Sequence, residues 1–240
     1  MRISKEEALK AMVKSGVHGQ DWPKHVYAIA LYNGNEYFPA RNTNRQDHAE
    51  AHAIGHLQGL LRRRQLQPGV IKLFVSASPC GECSQRIITF LETARWQHGV
   101  HLKIEVVFSS FYRIQRPSCN RRNCRDYRHC PSDDDHWTQV DGLKKLRDTP
   151  GVFLRTVNQQ DWHNLRNVLG VYNIGYRCRK KEDELLKKDF QEIMGASSPP
   201  FHGFHFNMGS LSVCSFSNPV MLGWAGSTVS IYFPSAFLYY

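Results

Sequence analysis

The first 194 residues show two hydrophobic periodicities. Apolar residues spaced three and four apart predict helices, and short alternating or apolar runs between turn residues predict strands. Six helices are expected, at 3–13, 48–64, 79–96, 136–148, 161–169 and 181–194. Five strands are expected, at 25–32, 36–39, 70–76, 101–111 and 152–157. Strands that alternate with helices in this way predict an α/β sandwich around a mixed sheet.

Turn and cap residues mark several boundaries in this pattern. Asn33-Gly34 predicts a hairpin between the first two strands, and Pro68-Gly69 breaks the chain before the third. Asp47 is placed to cap a helix that starts at His48, and Pro79 opens the helix after the third strand.

The last segment, 195–240, has a different composition. It contains no Asp, Glu, Lys or Arg, although ten of its residues are aromatic. This is typical neither of a solvated linker nor of a patterned domain. Extra strands, a surface for a partner, a disordered segment and a poorly predicted terminal exon all remain open, and we assign the segment no function.

Charge and cysteine content narrow the range of partners. The chain has 240 residues, is 41% hydrophobic and carries a net charge of +10, which favours a polyanionic partner, nucleic acid before membrane. A merely basic globular protein is the alternative. No apolar run is long enough to span a membrane, and no signal peptide is visible, so we expect a cytoplasmic or nuclear protein. Without a secretory signal, the seven cysteines are expected to be mostly reduced thiols or metal ligands.

Two short motifs carry the chemistry. His48-Ala49-Glu50 is followed, after a gap that holds a helix, a turn and a strand, by Pro79-Cys80-Gly81-Glu82-Cys83. One imidazole and two thiolates bind zinc and leave the fourth tetrahedral position open for water. The spacing matches that of zinc deaminases, in which the activated water attacks C4 of cytosine or C6 of adenine and the Glu transfers protons. His52 and His56 would form an alternative ligand row with His48, but the cysteines complete the site without them.

The motif set resembles the cytidine deaminase superfamily, and within it the AID/APOBEC polynucleotide cytidine deaminases. The stretch Ser76-Ala77-Ser78-Pro79-Cys80-Gly81-Glu82-Cys83 is similar to that family's S-W-S-P-C-x-x-C. The segment 142–147, followed by Gly151-Val152, is similar to its G-L-R-x-L…G-V helix-to-strand segment, and the chain from Asp161 resembles the start of its next helix. The resemblance covers about residues 20–194. It implies a zinc-dependent deaminase domain over 1–194, folded as a three-layer α/β/α sandwich with a mixed five-stranded sheet.

The resemblance also implies roles for individual residues. His48, Cys80 and Cys83 would bind one catalytic zinc, and Glu50 would protonate N3 of cytosine and move protons to the leaving ammonia. Substrate contacts are expected from six positions, which are Asn42, Ser78, Phe111, Tyr112, Arg113 and Arg116. Phe111 or Tyr112 would supply the aromatic that flanks the flipped base.

Three features depart from the family pattern or extend it. Ala77 stands where the family usually has Trp. The run Gly81-Glu82-Cys83-Ser84-Gln85 is similar to free-nucleoside cytidine deaminases. The run from His48 to Ile54 is similar to tRNA adenosine deaminases. These similarities keep smaller substrates and tRNA open as alternatives.

The loop after the fourth strand is rich in arginine. Six arginines and a single acid, Asp126, lie between Arg113 and Arg128. In the family this loop contacts the nucleotide 5′ of the target, and arginines there would hold phosphates. A mobile, solvated basic loop is the alternative.

The same loop concentrates cysteine and histidine. One interpretation is a second zinc, held by Cys119, Cys124, His129 and Cys130. Free thiols, or a disulfide with Cys178, are the alternatives.

The sequence therefore predicts zinc-dependent deamination of cytosine to uracil in single-stranded DNA, or in RNA. Mutator defence of the innate immune type is what the family implies. One alternative is a nucleic-acid-binding protein with a structural zinc and little activity. The other is a free-nucleoside or tRNA deaminase.

Overall fold

A computed structural model of the chain describes residues 3–17, 22–32, 36–44, 47–119 and 131–195. Five strands form one sheet, and their bounds are β1 Tyr27–Tyr32, β2 Glu36–Arg41, β3 Gly69–Val75, β4 Leu102–Phe108 and β5 Val152–Thr156. The helices are α1 Lys5–Lys14, α2 Ala49–Arg62, α3 Gly81–His98, α4 Asp133–Asp148, α5 Gln159–Leu169 and α6 Lys180–Gly195. A short 3₁₀ turn, Arg177–Arg179, leads into α6. The predicted tail lies beyond the described residues.

The sheet has the order β2-β1-β3-β4-β5 and is mixed. β1 pairs antiparallel with β2 and with β3, whereas β3, β4 and β5 run parallel. The pairing of Tyr32 with Glu36 confirms the predicted hairpin. The α/β architecture with a mixed five-stranded sheet is therefore confirmed.

Helices cover both faces of the sheet because alternate strand residues point to opposite sides. Ala28 and Ala30 of β1 belong to a core formed with α2, α3, α4 and α6. Tyr27 and Ile29 of the same strand belong to a second core, formed with α1 and α5. This gives the expected three layers. No described helix is long and apolar enough to cross a membrane.

The predicted cap of α2 was wrong. The residue that caps α2 is His48, without a side-chain hydrogen bond, and Asp47 lies one position further out. The Asp47 carboxylate instead accepts hydrogen bonds from Thr43 Oγ1 and Asn44 Nδ2, both at 2.9 Å. Short polar side chains in this loop bond to one another, so Asp47 orders the approach to the helix rather than its first turn.

Candidate metal centre

Three side chains converge where two helices begin. His48 and Cys80 are the N-caps of α2 and α3, and Cys83 lies in the first turn of α3. His48 Nδ1 lies 3.2 Å from Cys83 Sγ and 3.3 Å from Cys80 Sγ. Two such donors on one tetrahedral zinc would lie about 3.5–3.8 Å apart, so a shift of a few tenths of an ångström admits the ion.

The electrostatics of the cysteine pair also fit a metal dication. The Cys80 sulfur accepts hydrogen bonds from the Cys83 thiol and, at 3.4 Å, from the Cys83 backbone N–H, which lowers the pKa of Cys80 to about 5. The pKa of Cys83 is raised, first by its hydrogen bond with Cys80 and then by burial. The pair therefore holds one proton between two sulfurs, and a dication would displace that proton. The helix N-terminus further favours thiolate.

Glu50 supplies a buried carboxyl beside this cluster. It lies in the first turn of α2 and is only 4% exposed. Burial raises its pKa to about 7, the negative charge of Cys80 acts in the same direction, and His48 opposes both. A carboxyl with such a pKa both accepts and releases a proton near neutral pH, as general acid–base catalysis requires.

Serines tie the loops after β3 and β4 together next to the cysteines. Ser78 N–H donates to Ser110 O at 2.8 Å, and Tyr112 N–H donates to Ser78 Oγ at 3.0 Å. The Ser109 and Ser110 hydroxyls both donate to Ser76 O. These bonds place Tyr112 with its ring 6.2 Å from the His48 imidazole, in a T-shaped arrangement.

A cavity of about 460 Å³ opens onto the cluster. Most of its lining comes from the segments before β1 and after β2, β3 and β4 and from the start of α2. The lining residues are Ser15, Trp22, Pro23, Lys24, His25, Val26, Asn42, His48, Glu50, Ser76, Ala77, Ser78, Cys80, Tyr112 and Arg113. A volume in this range suits a nucleotide-sized ligand.

Four of the six expected substrate contacts line this cavity. Asn42 uses its amide to bridge two loops, because Oδ1 accepts from Val26 N–H at 2.8 Å while Nδ2 donates to Asn44 O. Ser78 is fully buried and holds Tyr112. Arg113 is exposed, has a left-handed φ of 49° and pairs with Asp135 at 3.5 Å.

The other two expected contacts lie elsewhere. Phe111 is completely buried in the core, with its ring 5.5 Å from that of Phe108. Arg116 is buried against α6, where it pairs with Glu182 and, at 2.7 Å, with Asp189. Neither side chain lines the cavity.

The predicted second zinc cannot be placed. Cys124, His129 and Cys130 lie outside the described residues, and Cys119 is half-buried. Within the described ranges, His48, Cys80 and Cys83 form the cluster whose donors are close enough to share an ion. The second site stays a prediction.

Sequence reasoning missed one wall of the cavity, the segment from Trp22 to His25. A signal for it exists in the topology. β1 runs antiparallel to β3, with Ala28 opposite Val75, so the residues before β1 lie where β3 ends and the cysteine loop begins. His25 Nδ1 is buried and, among the described residues, has no hydrogen-bond partner.

No family model matches the chain, and no curated protein matches it. Among solved structures, the chain is similar to dCMP deaminase from the cyanophage S-TIM5 in complex with dCMP and dUMP, with 19% identity and a TM-score of 0.31 over 64% of this chain and 93% of that one. The apo form of that enzyme gives 20% identity and a TM-score of 0.29 over 64% and 96%.

Proposed function

We propose that this chain is a zinc-dependent hydrolytic deaminase that converts cytosine to uracil in single-stranded DNA or RNA. The observation that carries the proposal is the buried carboxyl of Glu50, which lines the same cavity as His48 and Cys80, two members of the cluster that Cys83 completes. A purely structural zinc site is closed by four protein ligands, whereas this cluster offers three beside a cavity.

The residues around the cavity would have three different roles, which are metal binding, proton transfer and stacking on the base. A zinc ion held by His48, Cys80 and Cys83 would supply a Lewis acid that activates water as a nucleophile. Glu50 accepts the proton of that nucleophile and delivers protons to N3 of the base and to the departing amino group. Tyr112, held by Ser78, presents a ring beside His48 on which a base can stack.

The preference for a polymer rests on charge. Lys24 and Arg113 line the cavity on exposed positions, where phosphates on either side of an inserted nucleotide would meet them. The net charge of +10 acts in the same direction.

The test is deamination by Glu50→Gln. Uracil formation on cytosine-containing oligonucleotides should fall by at least about 100-fold, because a general acid–base group is removed. Zinc per chain should stay unchanged because Glu50 is not a ligand. Glu82→Gln is the matched control: its carboxylate lies on the surface of the same motif and pairs with Arg86, so activity should persist.

The substrate panel separates the alternatives. Single-stranded DNA, single-stranded RNA, dCMP, free cytidine and an adenosine-containing tRNA substrate would be compared under one condition. Activity on dCMP or cytidine but on no polymer would support deaminase activity and rule out a polynucleotide substrate. Salt-sensitive oligonucleotide binding without any product would instead identify a binding protein with a structural zinc.

A further inference from the structure

Helix α4 crosses the first turn of α3 at backbone contact distance. A Cβ placed on Gly142 would lie 2.5 Å from Gly81 Cα and 3.2 Å from Gly81 N. Gly142 lies inside α4 and has no positive φ, so backbone conformation does not require glycine there. Glycine destabilises a helix interior relative to alanine. The close approach to Gly81 is therefore the reason for this residue.

A side chain of α4 makes a second contact with the same residue. The backbone N–H of Gly81 donates to Gln139 Oε1 at 2.9 Å, and Gln139 is 8% exposed. Gly81 is the first residue of α3, so its N–H has no acceptor within the helix. Gln139 supplies that acceptor from the next helix.

Gly81 lies between two of the three candidate metal ligands. Cys80 precedes it and Cys83 follows one turn later, with a Cys83 N–H bond to the Cys80 sulfur. Any displacement of Gly81 moves both sulfurs relative to His48, which belongs to a different helix. Zinc tolerates only small departures from its preferred distances, so the position of Gly81 controls how well the three donors meet.

We propose that Gln139 and Gly142 are positioning residues for the metal: together they clamp Gly81 and thereby hold Cys80 and Cys83 at the distance from His48 that zinc binding needs. This rests on the zinc site of the proposed function and adds the element that aligns it.

Helix α4 is also anchored to the loop that follows β4. His136 Nδ1 accepts from Gln115 N–H at 3.0 Å, and Arg113 pairs with Asp135 at 3.5 Å. Ser132 caps the helix by accepting from Asp135 N–H. The helix that clamps the cysteine loop is therefore also bonded to the loop that carries Tyr112.

The experiment measures zinc binding by the full-length chain. Gly142→Ala and Gln139→Leu are compared with wild type by zinc content and by affinity in competition with a chelator. Each variant should lose about tenfold or more in zinc affinity, in the range found for partners that orient metal ligands. Cobalt(II) replaces zinc in a second measurement, since its visible absorption reports coordination geometry, and both variants should show altered bands.

Gly55→Ala is the matched control. Gly55 is also inside a helix, but a Cβ there meets nothing within 4 Å, so zinc affinity and the cobalt spectrum should equal those of wild type. If Gly142→Ala fails to fold, Gln139→Leu still carries the test, because it leaves Gly142 in place and removes only the acceptor of the Gly81 N–H.

The outcomes separate the two proposals. Wild-type affinity and an unchanged cobalt spectrum in both α4 variants would overturn the clamp and leave the zinc site standing. A wild-type protein that binds no zinc would overturn the proposed function, and the clamp with it.

Discussion

Arg179 is a fully buried cation that joins three elements of the fold. It is 0% exposed, yet its guanidinium donates to Val13 O at 2.9 Å, Ser15 O at 2.5 Å and Ser109 O at 2.6 Å. It also pairs with Asp183 at 2.9 Å. The end of α1, the end of β4 and the start of α6 therefore meet at one cation.

We predict that Arg179→Met lowers the free energy of unfolding by about 3–5 kcal/mol at neutral pH, the usual cost of leaving one member of a buried ion pair without its partner. Methionine fills much of the volume but donates no hydrogen bond. The carbonyl groups at the end of α1 would then lose their hydrogen-bond donor, and the helix itself has no N–H to replace it.

The loss of stability in Arg179→Met should depend on pH. Burial raises the pKa of Asp183, and the charge of Arg179 is the largest of the influences that lower it. Without that cation the folded-state pKa rises further above the unfolded value. The folded variant then keeps a proton that the unfolded chain releases, so its stability falls as pH increases through the range above the ordinary carboxyl pKa. Arg179→Met should be less destabilised at pH 5 than at pH 8.

Urea unfolding followed by far-UV circular dichroism at both pH values measures this. The double variant Arg179→Met/Asp183→Asn should recover part of the loss at pH 8, because no unpaired charge stays buried. Arg147→Met, which breaks an exposed pair with Asp148, serves as the control and should leave the midpoint unchanged. A loss below about 1 kcal/mol for Arg179→Met, or the same loss at both pH values, would refute the reasoning.

Three further perturbations test other parts of the molecule. Asn158→Ala removes the cap of α5, whose capping box is complete, and should lower the free energy of unfolding by about 1 kcal/mol in urea; an unchanged midpoint would contradict it. Arg113→Gln should weaken oligonucleotide binding and reduce the salt dependence by about one phosphate contact, whereas Arg95→Gln, on the surface of α3, should do neither; equal slopes for both variants would exclude Arg113 as a phosphate contact. Removal of zinc by a strong chelator should lower the melting temperature, because an ion bound only to the folded chain stabilises it; calorimetry that shows no shift would argue against a folded-state site.

The convergence of His48, Cys80 and Cys83 could be predicted because its signal is local. Each of these side chains belongs to a short motif at a helix start, and the strand between the motifs brings both starts to one edge of the sheet. The periodicity of the apolar residues fixed the elements to within a few residues for the same reason. The predicted cap of α2 was wrong by one position, because Thr43 and Asn44 donate hydrogen bonds to the carboxylate of Asp47 in place of the helix N–H groups.

The walls of the cavity depend instead on contacts between distant segments. β4 was expected to run to Phe111, but it ends at Phe108, and the bonds of Ser109 and Ser110 to Ser76 O redirect the chain. Phe111 consequently turns into the core, and Tyr112 reaches the cavity.

Arg116 shows the limit of charge counting. Composition predicts a basic loop beside the site, yet Glu182 and Asp189, which neutralise Arg116, come more than sixty residues later on α6. These ion pairs hold the loop to the helix, and the buried guanidinium is not accessible to a phosphate. The electrostatic case for a polynucleotide therefore rests on exposed cations at the cavity and not on the number of arginines in the loop. Lys24 and Arg113 are the described examples. Arg113 also pairs with Asp135, but its side chain is 44% exposed, so a phosphate can still reach it.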